Sequence, residues 1–206
     1  MPLGDYSFYH SDISNRKGGS VALLIHNSFN VKTRKDVNLS NSLCESLFIE
    51  ILLPNKKNII VGIIYRDPNK AINDFNENFN ECLEKLASEN KNIYIMGDFN
   101  VNLLNHNAVN SINEFLNIVY NNSLRPLIDK PTRITTKSLT LIDNIFTNVI
   151  SNPIYAGIIY SDITDHLPIF QITNVSLGQS IYNKPTKSYV CQTDSSFLSS
   201  FKRDLS

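Results

Sequence analysis

The sequence predicts one domain of mixed α and β structure, in which short strands and strand hairpins surround two helices. Its 206 residues suffice for a single domain with a sizeable core. Hydrophobic residues make up 42% and charged residues 18% of the chain, an ordinary balance for a globular domain. Strand-like runs and helical patterns follow one another in an irregular order, which excludes a strict βαβ repeat.

Short runs rich in β-branched and aromatic residues predict the strands. The segment 54–57, PNKK, separates the second run from the third and predicts the turn of a hairpin. In chain order the runs cover residues 20–26, 46–53, 58–65, 92–97, 141–150, 155–160 and 167–173.

Two segments, 71–87 and 111–120, show the apolar spacing of three and four that predicts a helix. The apolar positions are Ile72, Phe75, Phe79, Cys82, Leu83 and Leu86 in the first, and Ile112, Phe115, Leu116 and Val119 in the second. Beyond residue 174 the chain becomes polar and turn-rich. We therefore predict a folded domain over 1–174 and a linker or tail over 175–206, where residues 196–205 can start a further helix.

Composition excludes several classes of protein. Basic and acidic residues balance to a formal net charge of zero, so the strongly basic surface of many nucleic-acid binders is absent on average. An enzyme that contacts DNA briefly stays compatible with this balance. Three widely spaced cysteines fit a reducing compartment and argue against a zinc site or a disulfide framework. No apolar run is long enough to predict a membrane span, and no basic cluster indicates nuclear import.

Polar side chains follow the apolar strand 92–97. Asp98 and Asn100 come directly after Gly97, and the apolar Phe99 between them is predicted to point into the core. One interpretation is a tight turn, because Gly, Asp and Asn are all favoured there. The other is a functional site, since α/β enzymes place polar groups at strand ends. A carboxylate can hold a hard cation or position water, and an amide can bind a phosphate.

Five more polar side chains interrupt or border apolar runs. Asp165 and His166 form either a surface pair or a catalytic pair, in which histidine is the natural general base. Asp143 lies inside an apolar stretch, where a carboxylate is costly to bury unless it is paired. It either faces water at an edge or orients His166. Tyr65 and Arg66 end a strand, and Arg66 either binds phosphate bidentately or is solvated.

The ordered set of motifs resembles the endonuclease/exonuclease/phosphatase superfamily, and more closely the endonuclease domain of LINE-type (non-LTR) retrotransposons. The resemblance spans about residues 6–174. It is carried by the segments GGSVALLI, CESLFIEI, YRDPN, GDFN, PTRIT, LIDNIFTN and TDHLPIF. Four of the motifs, Tyr-Arg-x-Pro, Gly-Asp-Phe-Asn, Leu-Ile-Asp and Asp-His-x-Pro-Ile, follow in this order, each at the edge of a predicted strand.

This resemblance implies a DNase I-like α/β fold: a four-layer sandwich of two mixed β-sheets flanked by helices. It implies hydrolysis of a phosphodiester with Mg²⁺, or alternatively Mn²⁺, as the cofactor. In these retrotransposons the domain nicks one strand of chromosomal DNA, and the freed 3′-hydroxyl primes reverse transcription. DNA is therefore the expected partner, a reverse transcriptase domain is expected in the full-length polyprotein, no membrane is involved, and the expected location is nuclear.

The resemblance also implies roles for the central residues. His166 is expected at the scissile phosphate as a base or an electrostatic contact, with Asp143 orienting its ring. Asp98 is expected to align or deprotonate the attacking water and to bind the metal. Asn100 and Tyr65 are expected to hold the phosphate.

Further residues follow from the same resemblance. Asp165 is expected to contribute to metal or water binding, and Arg66 to substrate binding. Thr132 and Arg133, in the PTRIT segment, match a region that contacts the DNA backbone.

The sequence departs from this pattern at its start. Family members begin with a strand that carries an Asn, a helix, and a strand that ends in a metal-binding Glu, and this chain is expected to lack all three. Glu45 and Glu50 lie in a later predicted strand and do not match that Glu. Two alternatives therefore stand beside the active endonuclease: a catalytically inactive remnant of such a domain, and a phosphatase of the same superfamily.

Overall fold

A computed structural model describes residues 4–11, 20–39, 43–105, 109–150 and 154–174. The predicted tail 175–206 and the helix considered at 196–205 lie outside the described residues, so the division of the chain into domain and tail stays a prediction.

Within the described ranges the chain forms twelve strands, two α-helices and two short 3₁₀ turns at Lys35–Val37 and Leu103–Asn105. The helices are α1 (Ile72–Ala87) and α2 (Asn110–Asn121), and neither combines the length and apolar composition needed to cross a membrane. The strands are β1 (Tyr6–His10), β2 (Ala22–His26), β3 (Asn30–Thr33), β4 (Cys44–Leu52), β5 (Ile59–Arg66), β6 (Asn92–Asp98), β7 (Arg125–Pro126), β8 (Arg133–Ile134), β9 (Leu139–Thr140), β10 (Asp143–Thr147), β11 (Ile154–Ile158) and β12 (Ile169–Thr173).

A six-stranded mixed sheet in the order β3-β4-β5-β6-β10-β7 forms the centre of the domain. Strands β5 and β6 run parallel, because α1 connects them, and the other neighbours run antiparallel. The predicted hairpin joins β4 to β5 through residues 54–57, and Asn55 adopts a left-handed φ of 57° that asparagine tolerates. The predicted mixed α/β class is confirmed.

The remaining strands differ from the expected second mixed sheet. They form separate antiparallel pairs, β1 with β2, β8 with β9, and β11 with β12. Among the strands that the structure describes, none hydrogen-bonds to both the β1–β2 pair and the β11–β12 pair. Tyr155 and Ile172, which are register partners in the β11–β12 pair, have exposed side chains, whereas Ala156 and Ile158 pack on the core.

Helices α1 and α2 cover one face of the central sheet, and five phenylalanines make the core between the two layers. Phe115 of α2 lies within ring-centroid distances of 5.6 Å from Phe79, 5.7 Å from Phe99 and 5.7 Å from Phe146. Phe75 completes the cluster at 6.3 Å from Phe115. These contacts join both helices, the end of β6 and the middle of β10, so the core packing fixes the positions of the strand ends.

We expect Phe115→Ala to lower the free energy of unfolding by about 3–5 kcal/mol, because it leaves a cavity among the aromatic rings. Urea unfolding followed by circular dichroism measures the loss. Tyr120→Ala, at a 53% exposed position on the same helix, is the matched control and should cost well under 1 kcal/mol. Equal losses for the two variants would contradict this assignment of the core.

An ion-pair network around the buried Arg34 and Glu50 lies at the opposite end of the sheet from Tyr65 and Asp98. Arg34 is 6% exposed and contacts Asp36 at 2.6 Å, Glu50 at 3.2 Å, and Glu89. Lys91 binds both Glu50 and Glu89 at 2.7 Å. Hydrogen bonds from Arg34 lower the pKa of Asp36 to about 2 and lower the pKa of Glu89. Burial opposes ionisation of Glu50, but Lys91 and Asn58 leave its pKa lowered.

We expect Arg34→Met to cost about 3 kcal/mol of stability at neutral pH, because it leaves the buried Glu50 and the partly buried Glu89 with fewer partners. Since the folded-state pKa of Asp36 lies below its unfolded value near 4, the network contributes above about pH 4 and is lost towards about pH 2. Urea midpoints from pH 7 to pH 2 measure both effects. Lys56→Met in the exposed 54–57 turn is the control, and an Arg34→Met protein with unchanged acid sensitivity would contradict the prediction.

Candidate active site

Three predicted site residues lie side by side at the ends of adjacent strands. Tyr65 of β5 pairs in register with Asp98 of β6, and Asp98 pairs with Asp143 of β10. Neighbours in register share a face of the sheet, because side chains alternate along each strand. Ile64 and Ile95 of the same strands belong to the core on the helix side. Tyr65, Asp98 and Asp143, which we call the polar row, therefore lie on the face opposite the helices, at one end of the sheet.

The Gly97–Asn100 segment owes its shape to close backbone approach. Gly97 has a φ of 141°, and a Cβ atom there would lie 1.9 Å from the carbonyl oxygen of Ile64, so only glycine fits. Phe99 donates its backbone N–H to the carbonyl of Ile142 at 2.9 Å, and its ring is 1% exposed. The prediction that Phe99 points into the core is confirmed. Asp98 is thereby left on the opposite side of the chain, in the polar row.

Asp143 and His166 form the pair that the sequence suggested as one of two alternatives. His166 Nδ1 lies 3.2 Å and 3.3 Å from the two carboxylate oxygens of Asp143. Thr132, which is fully buried, donates its hydroxyl to Asp143 Oδ2 at 2.7 Å and accepts the Asp143 N–H at 3.0 Å. A carboxylate only accepts hydrogen bonds, so it holds the proton of a neutral His166 on Nδ1 and leaves Nε2 free to accept another proton.

Asp98 is in an environment that disfavours its charge. Burial raises the pKa of Asp98, and the neighbouring Asp143 raises it further, against the lowering effects of the Asn100 N–H, His166 and Arg133. The Asn100 N–H donates to Asp98 Oδ1 at 2.9 Å. A carboxylate destabilised by burial and by a second acid gains most from a cation placed beside it.

The donor chemistry of this cluster fits a divalent cation. Ligand atoms of Asp98, Asp143 and His166 lie within 4.8 Å of one another, and all three residues are partly buried. Two carboxylates with access to water are the ligand set that Mg²⁺ and Mn²⁺ prefer, because these ions keep several waters and take few protein ligands. The Asp143 carboxylate is already hydrogen-bonded to Thr132 and His166. Asp98 is therefore the carboxylate with more capacity left to bind a cation.

Tyr65 and Glu45 continue the row across the sheet. Burial raises the pKa of Tyr65, and Asp98 and Asp67 raise it further, so its hydroxyl stays a hydrogen-bond donor at neutral pH. Glu45 of β4 is the register partner of Tyr65, is 4% exposed, and accepts a hydrogen bond from Ser11 Oγ at 3.3 Å. The sequence analysis gave Glu45 no role. The predicted hairpin turn at 54–57 was the signal that could have paired Glu45 with Tyr65, because the turn sets which residues of β4 and β5 lie opposite each other.

Arg66 does not join the row. It follows Tyr65 on the same strand and therefore points to the opposite face, where it is 5% exposed and donates to backbone carbonyls. The geometry gives no support to the expectation that Arg66 binds substrate, because strand alternation separates the two neighbours. The Asn100 amide donates to the Arg66 carbonyl at 2.8 Å, so its NH₂ group is not directed at the row.

Asp165 lies beside the cluster but outside it. Its carboxylate accepts a hydrogen bond from Arg133 Nε at 2.7 Å, and both side chains are nearly half exposed. Arg133 and His166 also form an isolated backbone bridge, which ties the β8–β9 hairpin to the segment that carries His166. Thr132 is buried against Asp143 rather than exposed to a ligand. Of Thr132 and Arg133, only Arg133 presents its side chain to solvent.

Comparison with known proteins assigns the domain to the phosphodiester hydrolases of the endonuclease/exonuclease/phosphatase superfamily. A family model described as endonuclease-reverse transcriptase matches residues 59–170, which is more than half of the chain. The chain therefore belongs to that family, and the resemblance found in its motifs is confirmed. The matched residues include every member of the Asp98, Asp143 and His166 cluster. No curated protein matches the sequence.

Solved structures support the same fold at low sequence identity. The endonuclease domain of TRAS1, a telomere-specific non-LTR retrotransposon, superposes with a TM-score of 0.62 at 16% identity, over 82% of this chain and 79% of that one. The catalytic domain of Xenopus laevis APE2 gives 0.59 at 16% identity, over 83% and 76%. A 3′ phosphatase from Neisseria, bound to a product DNA hairpin, gives 0.55 at 10% identity, over 83% and 80%.

Proposed function

We propose that this domain is a Mg²⁺-dependent endonuclease that nicks DNA for a non-LTR retrotransposon. The observation that carries the proposal is the cluster of Asp98, Asp143 and His166 at neighbouring strand ends, with ligand atoms within 4.8 Å. A partly buried acid beside a histidine–carboxylate pair supplies both parts that phosphodiester hydrolysis requires, a place for a cation and a base. Membership of the endonuclease-reverse transcriptase family supports DNA as the substrate.

His166 acts as the general base in this proposal. Asp143 holds the Nδ1–H, so the free Nε2 takes a proton from the attacking water. The water oxygen forms a bond to phosphorus, the bond from phosphorus to the 3′ oxygen breaks, and that oxygen takes a proton from a solvent water and leaves as the 3′-hydroxyl. Asp143 stabilises the imidazolium that forms, because its carboxylate remains in contact with the ring.

Asp98 and Tyr65 arrange the reactants. Asp98 would hold the cation together with retained waters, and Mn²⁺ suits the same ligands. When bound, the cation would supply positive charge to offset the negative charge that develops on the phosphate. Tyr65 has its hydroxyl protonated and lies next to Asp98 in the row, so it is suited to donate to a phosphate oxygen. Asn100 keeps Asp98 oriented through its backbone N–H.

DNA contacts would come from the surface beside the cluster. Arg133 is partly exposed next to His166, and exposed Lys130 and Lys137 lie near it in the chain before and within the β8–β9 hairpin. Phosphate contacts from Lys and Arg supply most of the sequence-independent affinity for DNA. The family description supports a reverse transcriptase domain in the full-length polyprotein, and nuclear action follows from the same role.

The proposal is tested on duplex oligonucleotides that separate endonuclease from phosphatase activity. One duplex carries an internal label, and a second carries a 3′-terminal phosphate. We expect internal cleavage that leaves a 3′-hydroxyl, with Mg²⁺ and not with EDTA. Removal of the 3′ phosphate without internal cleavage would show the phosphatase alternative, and no reaction on either duplex by the folded protein would show the inactive alternative.

A further inference from the structure

The side chain of Arg66 is buried directly behind the polar row. Its guanidinium donates from Nε to the carbonyl of Phe99 at 2.6 Å and from Nη2 to the carbonyl of Asn100 at 2.8 Å. Nη1 donates to the carbonyls of Asp67 at 3.1 Å and Lys70 at 2.9 Å. Four of its N–H groups are thus committed to backbone oxygens on two separate loops, one after β5 and one after β6.

The loop after β6 returns a hydrogen bond to the same residue. Asn100 Nδ2 donates to the Arg66 carbonyl at 2.8 Å, while the Asn100 backbone N–H holds Asp98 Oδ1 at 2.9 Å. Asn100 has a φ of 49°, in the left-handed region that a non-glycine residue adopts at an energetic cost. A residue keeps such a conformation only where neighbouring contacts hold it. Here the Arg66 side chain donates to the Asn100 carbonyl, and the Asn100 side chain donates to the Arg66 carbonyl.

Burying a guanidinium is unfavourable unless its donors are satisfied. Burial lowers the pKa of Arg66, and the charges of Asp98 and Asp67 oppose that change. Four carbonyl partners offset the lost hydration and at the same time restrict where Phe99 and Asn100 can lie. A lysine in this place would keep the charge, but its single ammonium group cannot reach four carbonyls arranged around a planar fork.

We propose that Arg66 is a positioning residue that fixes the Asp98–Asn100 loop and so keeps the Asp98 carboxylate beside Asp143 and His166. The effect on the reaction rests on the proposed function, whereas the effect on the loop does not. Arg66 acts from the helix side of the sheet on a group that faces the other side. This explains why a residue next to Tyr65 can matter for the site without contacting the substrate.

Arg66→Lys tests the proposal, with Arg34→Lys as the matched control at a second buried arginine, which lies at the opposite end of the sheet. Hydrogen exchange without metal is measured first. We expect the Asn100 amide to exchange at least tenfold faster in Arg66→Lys, while the Ile95 amide in the middle of β6 changes less than twofold. Arg34→Lys is expected to leave Asn100 unchanged.

Cation binding and kinetics provide the second readout. We expect Arg66→Lys to weaken Mn²⁺ binding at least tenfold and to lower kcat for DNA nicking by about 10²-fold, with KM within twofold. Unchanged Asn100 exchange and unchanged Mn²⁺ affinity in a folded Arg66→Lys protein would overturn the proposal. If the wild-type protein does not nick DNA, the proposed function fails, and exchange at Asn100 still decides the role of Arg66 in the loop.

The unmodified protein offers a measurement that does not depend on the folding of a variant. A buried Nε–H that is hydrogen-bonded to the Phe99 carbonyl exchanges slowly with solvent. We expect a protected Arg66 Nε–H signal in the nitrogen–proton spectrum at neutral pH. Rapid exchange at the rate of a solvated arginine would overturn the proposal.

Discussion

Replacing His166 with alanine is expected to lower the rate of Mg²⁺-dependent DNA nicking by about 10²–10⁴-fold, the range that a positioned general base contributes. The reason is geometric. Asp143 and Thr132 orient the imidazole so that Nε2 is the atom free to take a proton. Removing the ring leaves the cation site at Asp98 intact, so Mn²⁺ affinity should change little while kcat falls. Steady-state nicking rates and Mn²⁺ titration measure the two quantities.

His26→Ala is the matched control for this result. His26 is half-buried in β2 and contacts Ser28, and it is not part of the polar row. We expect it to keep wild-type nicking rates within about twofold. Added imidazole is expected to restore part of the activity of His166→Ala, since a free base can occupy the space that the side chain left. A His166→Ala protein that nicks DNA at the wild-type rate would show that another group takes the proton.

Replacing Asp98 with asparagine is expected to abolish Mg²⁺-dependent nicking, by about 10³-fold or more. An amide has no charge with which to hold a cation, and the cation supplies several kcal/mol of transition-state stabilisation, each 1.4 kcal/mol being a factor of ten. Mn²⁺ affinity should fall together with kcat. This separates Asp98→Asn from His166→Ala, in which only the rate falls.

The same substitution is expected to raise the stability of the metal-free protein. Burial and Asp143 raise the pKa of Asp98, which means that its charge opposes folding at neutral pH. An uncharged asparagine removes that opposition and can still accept the Asn100 N–H. Thermal unfolding in EDTA measures the effect, with Asp74→Asn at an exposed position of α1 as the isosteric control. A lower melting temperature for Asp98→Asn than for the control would contradict this account of Asp98.

Much of the fold was predictable from the sequence because its periodic signals are strong. The β-branched and aromatic runs of β5 and β6 and the helical spacing of α1 and α2 gave element types and nearly correct ends. The turn at 54–57 gave the pairing of β4 with β5. Strand β1 was missed, although its sequence YSFYH is aromatic and alternating, because it lies apart from any long apolar run. The pairing of strands distant in sequence has no local signal.

The site was predictable in part. A costly carboxylate inside an apolar strand indicated a partner, and Asp143 does contact His166. The direction of Arg66 was not predicted, because the sequence does not show which face of β5 carries the site. Tyr65 takes that face beside Asp98, so Arg66 takes the other. The pairing of Asp165 with Arg133 depends on a contact between residues 32 positions apart, which sequence spacing cannot show. The buried hydroxyl of Thr132 could be assigned to Asp143 only from three-dimensional contacts.

The most direct test of the central claim is nicking of supercoiled plasmid by the purified protein in Mg²⁺ and in EDTA, beside His166→Ala and Asp98→Asn. The Asp98, Asp143 and His166 cluster predicts relaxed circles with a 3′-hydroxyl at the nick in Mg²⁺, none in EDTA, and a loss in both variants. A folded protein that binds Mn²⁺ and leaves the plasmid supercoiled, or variants that nick as fast as the wild type, would contradict it.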